Sequence, residues 1–199
     1  AEDTVGVLTS GVPNSLTHDE NLDVWRLGVA AETLPGVKDL VAAGDYDKLS
    51  QSQAGQHFLK LLNDFRAHRP HRGCSDRDLY QPRWGNDERL LLAQLSSMLS
   101  LQIRTNPATA HTRTAEKRER SEVEVLQKVE KLPFGPLRRP LFAHVLRHAQ
   151  RYWIHRDNQR HTFDRYFFEL RNAYQALGLR LAEQGALTSA DNVFFAAKS

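Results

Sequence analysis

The feature that most constrains the fold is a long stretch near the C-terminus with almost no helix-breaking residue. Between residues 138 and 184 no proline follows Pro140, and the first glycine is Gly178. Apolar side chains recur there at intervals of three and four residues, as on one face of an α-helix. They are Phe142, Val145, Ala149, Tyr152, Phe163, Phe167, Leu170, Tyr174, Leu177 and Leu181. The pattern predicts one long C-terminal helix or a helix pair, with this apolar face buried.

Seven consecutive polar residues, 155–161, interrupt that apolar face. If the helix is continuous, Arg156 and Arg160 lie on the same face, because intervals of four, four and three residues connect the apolar positions on either side. Charge on a buried face is unfavourable unless it is paired, solvated in a cavity or directed at a ligand. Two arginines beside Asp157 in a cavity would suit an anionic or phosphorylated ligand. The alternative is a solvated corner at which the helix breaks.

The rest of the chain also favours helices, and no strand or hairpin pattern is present, so we expect an all-α fold. A length of 199 residues with 40% hydrophobic residues supports a single, irregular multi-helix domain over 1–199. Two interruptions are expected. One is an irregular loop over 69–86, and the other is a polar linker over 105–113 that contains Pro107.

The two halves of the chain differ in charge. Residues 1–100 carry 10 Lys and Arg against 14 Asp and Glu, whereas residues 101–199 carry 17 against 10. A basic half leaves open a non-catalytic helical module that binds a protein or nucleic-acid partner. Asp76 and Asp78 lie inside the most arginine-rich loop and would repel phosphates, so we do not expect nucleic acid as the partner.

The sequence also bears on membrane insertion, metal binding and disulfide formation. No stretch approaches the ~18 apolar residues that a membrane helix needs, so we expect no membrane partner. The single cysteine, Cys74, excludes an internal disulfide framework and fits a cytoplasmic location. His144 and His148 have the spacing of a zinc-binding pair, but no carboxylate or cysteine accompanies them, and we predict no metal site.

The 69–86 loop concentrates arginines, histidines and aromatic residues, a composition that either folds on internal ion pairs or binds a ligand. Direct ligand contact makes His71, Arg72, Arg83 and Trp84 candidate substrate-binding residues. The alternative is that His71, Arg72, Asp78 and Arg83 bridge neighbouring helices as a satisfied polar network.

The same loop carries a resemblance to a known family. From His71 to Trp84 the chain has H-R-G-C-S-D-R-D-L-Y-Q-P-R-W, which resembles H-R-G-x-x-E-x-D-L-x-x-P-R-W in phosphoenolpyruvate-synthase-like phosphotransferases, a group that includes the rifampin phosphotransferases. Residues 156–160 resemble that family's R-E-x-x-K segment, which lies at the acceptor pocket of rifampin phosphotransferases. The resemblance covers about residues 15–196.

The resemblance implies an acceptor-substrate-binding domain of an ATP-dependent phosphotransferase that uses a phosphohistidine carrier. Family members join an ATP-grasp domain, an acceptor domain and a swivelling histidine domain, so we expect the ATP-binding and swivelling domains as partners in a parent chain. This sequence has no glycine-rich phosphate loop and no carrier-histidine segment. We therefore expect no cofactor in this chain, ATP and Mg in the parent enzyme, and no catalysis by the chain alone. It looks like the later half of the acceptor-binding region, cut before the swivelling domain.

In this interpretation the ligand is a small-molecule acceptor. Arg156 and Arg160 would steady the transferring phosphoryl group or an anionic acceptor. Asp157 would orient or deprotonate the acceptor hydroxyl as a general base.

Overall fold

A computed structural model describes residues 3–73, 78–100 and 105–196. Regular structure in these ranges is entirely helical, which confirms the predicted all-α class. The helices are α1 (Thr4–Thr9), α2 (Leu16–Thr33), α3 (Val37–Ala43), α4 (Tyr46–Leu49), α5 (Gln53–His68), α6 (Glu88–Ser100), α7 (Pro107–Glu130), α8 (Gly135–Glu183) and a short 3₁₀ helix (Ala190–Phe195). None of those described is both long and apolar enough to cross a membrane.

We expected a polar linker over 105–113, but the chain is helical from Pro107 onward, where α7 begins. The side chain of Asn106 accepts a hydrogen bond from the backbone N–H of Ala108 at 2.9 Å. Proline is tolerated in the first helical turn, where its missing N–H would have no intrahelical partner. Pro107 therefore marks a helix start here and not an interruption.

The chain divides into two compact units, which we call the first unit and the second unit. The first unit comprises Ala1–Trp25 and Arg104–Arg160, and the second comprises Arg26–Ile103 and His161–Ser199. The loop expected over 69–86 lies in the second unit, between α5 and α6. Its residues Cys74 and Asp76 lie outside the described part of the chain. The single domain over 1–199 stays a prediction.

The second unit has an apolar core. Within it, α3 packs against α4, α5 and α6. The end of α3 is set by Gly44, whose backbone is left-handed (φ 75°) and whose N–H donates to the Leu40 and Val41 carbonyls, as is common at helix C-termini. The buried apolar side chains are Leu27, Ala31, Val37, Val41, Leu49, Phe58, Leu62, Trp84, Leu91, Leu92, Leu95, Leu99 and Val193.

The first unit has a polar interior. Its helices α1 and α7 pack together, but Leu8 and Val24 are its only buried apolar side chains among the described residues. Arg118 of α7 is buried and donates a hydrogen bond to the backbone carbonyl of Gly11. Gln150 of α8 donates to the carbonyl of Leu8 at 3.0 Å. Side chain to backbone hydrogen bonds therefore hold much of this unit together.

Helix α8 is one continuous helix from Gly135 to Glu183, so of the two alternatives the single long helix is present. The predicted burial of its apolar face is wrong: Tyr152 is 71% exposed, Phe163 39% and Leu170 45%. Apart from two glycines, the buried positions of this helix carry polar side chains, all of them in the second unit. These are His161, Asp164 and Arg171.

Candidate functional site

The first unit has a cleft of about 240 Å³ along one side of α8, lined by Trp153, Arg156, Asp157 and Arg160. These positions share one side of the helix because they are three, four and seven residues apart. The Arg156 guanidinium lies over the Trp153 ring, with its central carbon 4.8 Å from the ring centroid. The sequence-predicted trio of Arg156, Asp157 and Arg160 is thus brought together beside a concavity.

Both arginines are exposed, which corrects the expectation that they project from a buried face. The cause is the orientation of α8. In the first unit its less exposed positions after Gly135 are 142, 143, 146, 150, 154, 157 and 158, and neither arginine is among them. An exposed guanidinium is not a buried charge in need of compensation, so its position is free of the large desolvation penalty that the sequence argument assumed. The arginines are accessible from solvent at the edge of the cleft.

Asp157 fixes the start of α2. Its two carboxylate oxygens accept hydrogen bonds from the hydroxyls of Ser15 at 2.8 Å and Thr17 at 3.0 Å. The next residue, Asn158, accepts from the backbone N–H of Leu16 at 3.0 Å. Ser15 also caps the helix, since its hydroxyl oxygen accepts from the His18 N–H at 3.2 Å. Each oxygen of Asp157 therefore already has a hydrogen-bond donor from this chain.

A second cleft of about 300 Å³ adjoins the first, because Trp153 and Asp157 also line it. Its other walls come from the start of α2 and the start of α7, which contribute His18 and His111. The two imidazole rings are in contact, with centroids 4.0 Å apart and planes tilted by 31°. Nε2 of His111 lies 3.4 Å from the carbonyl oxygen of Val12.

The pKa of His18 is lowered from its ordinary value of 6.5, first by burial and then by the neighbouring His111, whose charged form would repel a proton on His18. Asp19 acts in the opposite direction and is the weakest of the three causes. Burial and like charge both disfavour the imidazolium, so they favour the neutral form of the His18 ring.

The four loop candidates for substrate binding lie in the second unit and are buried: His71, Arg72, Arg83 and Trp84 are 3%, 9%, 1% and 2% exposed. Nε2 of His71 is 3.1 Å from Nδ1 of His161. Arg72 forms an ion pair with Asp164. These contacts have the form of the polar network that was the alternative interpretation, and substrate contact by these residues stays a prediction.

The hydrogen bond of Asp78 differs from the helix-bridging contact expected for that network. Its carboxylate accepts a hydrogen bond from the backbone N–H of Tyr80 at 2.9 Å within its own turn and is exposed. The neighbouring segment is held by Arg171, which donates to the carbonyls of Leu79 and Tyr80 at 2.7 and 2.6 Å. Burial lowers the pKa of Arg171 from its ordinary value. The bridge from this part of the loop to α8 therefore comes from Arg171.

Among residues 3–73, 78–100 and 105–196, no group of three or more His, Cys, Asp or Glu side chains is placed to hold a metal ion. The exposed His144 and His148 are neighbours on α8, with ring centroids 4.4 Å apart.

Several site residues were missed by the sequence reasoning. Trp153 had a local signal, because it precedes Arg156 by one helical turn and an aromatic ring there can stack on a guanidinium. His18 and His111 had none, since they come from distant parts of the chain and meet only in the folded first unit. The roles of Ser15 and Thr17 as donors to Asp157 equally depend on tertiary contacts.

Comparison with known proteins identifies the family. The family described as "Rifampicin phosphotransferase fourth domain" matches residues 1–157, which include Arg156 and Asp157 but not Arg160. A search of curated proteins found no match. The match confirms the resemblance to rifampin phosphotransferases that the loop motif and the 156–160 segment predicted. Since it extends over more than half of the 199 residues, the chain belongs to the rifampicin phosphotransferase fourth-domain family.

Proposed function

We propose that the chain is an acceptor-binding domain of an ATP-dependent phosphotransferase, in which separate ATP-binding and phosphohistidine-carrying domains supply the phosphoryl group. Family membership supports the reaction class. The cleft beside Arg156 and Arg160 supports the assignment of acceptor binding to the first unit. ATP and Mg belong to the other domains of the parent enzyme in this proposal.

The observation that carries the proposal is the pair of arginines one helical turn apart at the edge of the 240 Å³ cleft. Guanidinium groups stay charged at all physiological pH values and present several donors in a fixed planar arrangement, which suits phosphoryl oxygens. The exposed Trp153 beneath Arg156 supplies a flat apolar surface to the same cleft. A ligand fits this combination if it has an apolar body and a group that becomes negatively charged when it is phosphorylated.

Asp157 has an orienting role in this proposal. Its carboxylate holds the Ser15 and Thr17 hydroxyls, and so it joins α8 to the start of α2 on the wall shared by the two clefts. Loss of Asp157 would release that wall.

The test uses the full-length protein that contains this domain, with ATP as the donor and rifampicin, the compound in the family's name, as the acceptor. We expect Arg156→Ala and Arg160→Ala each to lower kcat/KM for the acceptor by about 10- to 100-fold, the range for a lost hydrogen bond to a charged group. The matched control is Arg151→Ala, which removes an exposed arginine from α8 outside the 240 Å³ cleft.

Unchanged acceptor kinetics in both cleft variants would contradict the proposal. The alternative, a nucleic-acid module, is distinguished by adding an oligonucleotide to the same three variants. A phosphate-backbone interaction would weaken steeply with salt, and Arg151→Ala would reduce it about as much as Arg156→Ala, because such contacts are not geometrically selective.

A further inference from the structure

We propose that His18 is the general base that accepts the proton of the acceptor hydroxyl, and that His111 positions it. The inference rests on the proposed function and deepens it, since it assigns the proton transfer to the 300 Å³ cleft adjoining the arginines. The acceptor would then lie across the wall formed by Trp153 and Asp157, which lines both clefts.

The hydrogen-bonding capacity of the His18 ring supports this role. No hydrogen bond within the described part of the chain engages the His18 ring, which contacts the tilted ring of His111. Asp157, the base expected from the sequence, has Ser15 and Thr17 as donors to its two oxygens. The neutral His18 ring has a nitrogen that can accept a hydrogen bond from a ligand hydroxyl, whereas the Asp157 carboxylate is already engaged in holding the start of α2.

The surroundings of His18 also favour the unprotonated ring that a base requires. The groups that face His18 are His111 from α7, Asp157 from α8 and its own neighbour Asp19. The pKa of His18 is nevertheless lowered, with burial and His111 as the dominant causes. A base must be unprotonated in the resting enzyme, and an imidazole with a pKa somewhat below the working pH meets that requirement while remaining basic enough to accept a proton.

The role of His111 follows from its second contact. When Nε2 of His111 carries the proton, it donates to the carbonyl of Val12 at 3.4 Å, which fixes the ring against the loop before α2. Held there, the ring packs against His18, with the two ring centroids 4.0 Å apart. His111 acts through His18 and has no contact with the acceptor in this inference.

The proposed step balances as follows. The hydroxyl oxygen of the acceptor forms a bond to phosphorus, and the N–P bond of the phosphorylated histidine of the carrier domain breaks. The electrons of that bond return to the carrier imidazole nitrogen. The hydroxyl proton passes to the free ring nitrogen of His18, and His18 then releases it to water.

The first experiment does not depend on activity and follows the histidine ring signals of the protein by NMR between about pH 5 and 8. We expect the pKa of His18 to lie below 6.5 and to rise in His111→Gln, because that change removes both the packed ring and the like charge. His148→Gln, which changes an exposed histidine of α8, leaves it unchanged. A pKa of His18 at or above 6.5 would overturn the inference, because burial and His111 would then not favour the neutral ring.

The second experiment measures phosphoryl transfer from ATP to rifampicin by the full-length protein. We expect His18→Gln to lower kcat about 100-fold with little change in KM, as for loss of a general base. His111→Gln should move the acidic limb of the pH–rate profile to higher pH, which a merely structural loss would not do. His148→Gln again serves as the control.

The outcomes separate the two proposals. If the wild type transfers phosphate and the arginine variants are impaired while His18→Gln has unchanged kcat and pH profile, the inference fails and the proposed function stands. If the wild type transfers no phosphate to rifampicin, the proposed function fails for this acceptor and the inference fails with it.

Discussion

The two units of this chain are stabilised in different ways. In the second unit the described residues include thirteen buried apolar side chains, whereas in the first they include two, Leu8 and Val24. Apolar burial contributes roughly 25 cal/mol per Å², while a typical intramolecular hydrogen bond contributes only about 1 kcal/mol net. The second unit therefore has a conventional apolar core, and the first depends on a smaller sum of polar contacts.

The difference bears on where a ligand is bound. Regions with few buried apolar contacts open at low free energy, and binding segments are commonly drawn from them. Both clefts around Asp157 lie in the first unit. In the second unit the two arginines predicted to bind substrate, Arg72 and Arg83, are buried, and Arg72 is paired with Asp164. Of the arginines predicted to bind substrate, those in the first unit are therefore exposed beside a cleft and those in the second are buried.

The largest expected effect comes from comparing two aspartates of α8, one in each unit. Asp164 is 3% exposed and paired with Arg72. We expect Asp164→Ala to lower the free energy of unfolding by about 3–5 kcal/mol, because it removes one partner of a buried ion pair. Asp157→Ala removes a half-buried acceptor of two hydroxyl hydrogen bonds, and we expect a loss of about 1–3 kcal/mol.

Urea denaturation of the two variants and the wild type provides the measurement. Replacement of the whole pair, Arg72→Met with Asp164→Leu, should recover much of the loss, because breaking a buried pair destabilises far more than substituting both partners. If Asp164→Ala is as stable as Asp157→Ala, the buried ion pair of the second unit contributes no more to stability than the hydroxyl hydrogen bonds of the first.

A smaller effect on stability is expected when one glycine in each unit is replaced by alanine. In the second unit a Cβ on Gly85 would lie 2.7 Å from Cβ of Pro70 and 2.8 Å from the ring of Phe168. We expect Gly85→Ala to lower stability by about 1–3 kcal/mol, because the added methyl group would overlap both neighbours and force them to shift. In the first unit a Cβ on Gly6 would approach only the side chain of Asp3, which can rotate away.

Thermal unfolding of Gly85→Ala and Gly6→Ala checks this contrast. The Tm of Gly6→Ala should stay near that of the wild type, because a lost cap hydrogen bond is offset by the better helix propensity of alanine. Equal changes in Tm for the two variants would argue that the packing of the second unit is no tighter than that of the first.

Local sequence patterns predicted what depends on backbone periodicity. The absence of breakers over 138–184 predicted α8, and the cluster of Arg156, Asp157 and Arg160 follows from helical spacing alone. Burial depends on tertiary partners, so the apolar spacing of α8 predicted the wrong inward face. The hydroxyls of Ser15 and Thr17 and the charge of Arg72 make its polar residues the favourable ones to bury.

The smallest expected effect is the pH dependence that His18 confers on the first unit. Its pKa is lowered below 6.5 in the folded chain, so between the lowered pKa and 6.5 the unfolded chain binds more protons than the folded one. The resulting stability is fully present above pH 6.5 and declines as the pH falls through the lowered pKa. Because His18→Gln cannot be protonated, the variant should lose less free energy of unfolding than the wild type between about pH 7.5 and 5.5. Urea denaturation at both pH values measures that difference, with His148→Gln as the control. If wild type and His18→Gln lose the same free energy of unfolding, the contact with His111 does not disfavour a charge on His18. The first unit would then gain no pH sensitivity from His18.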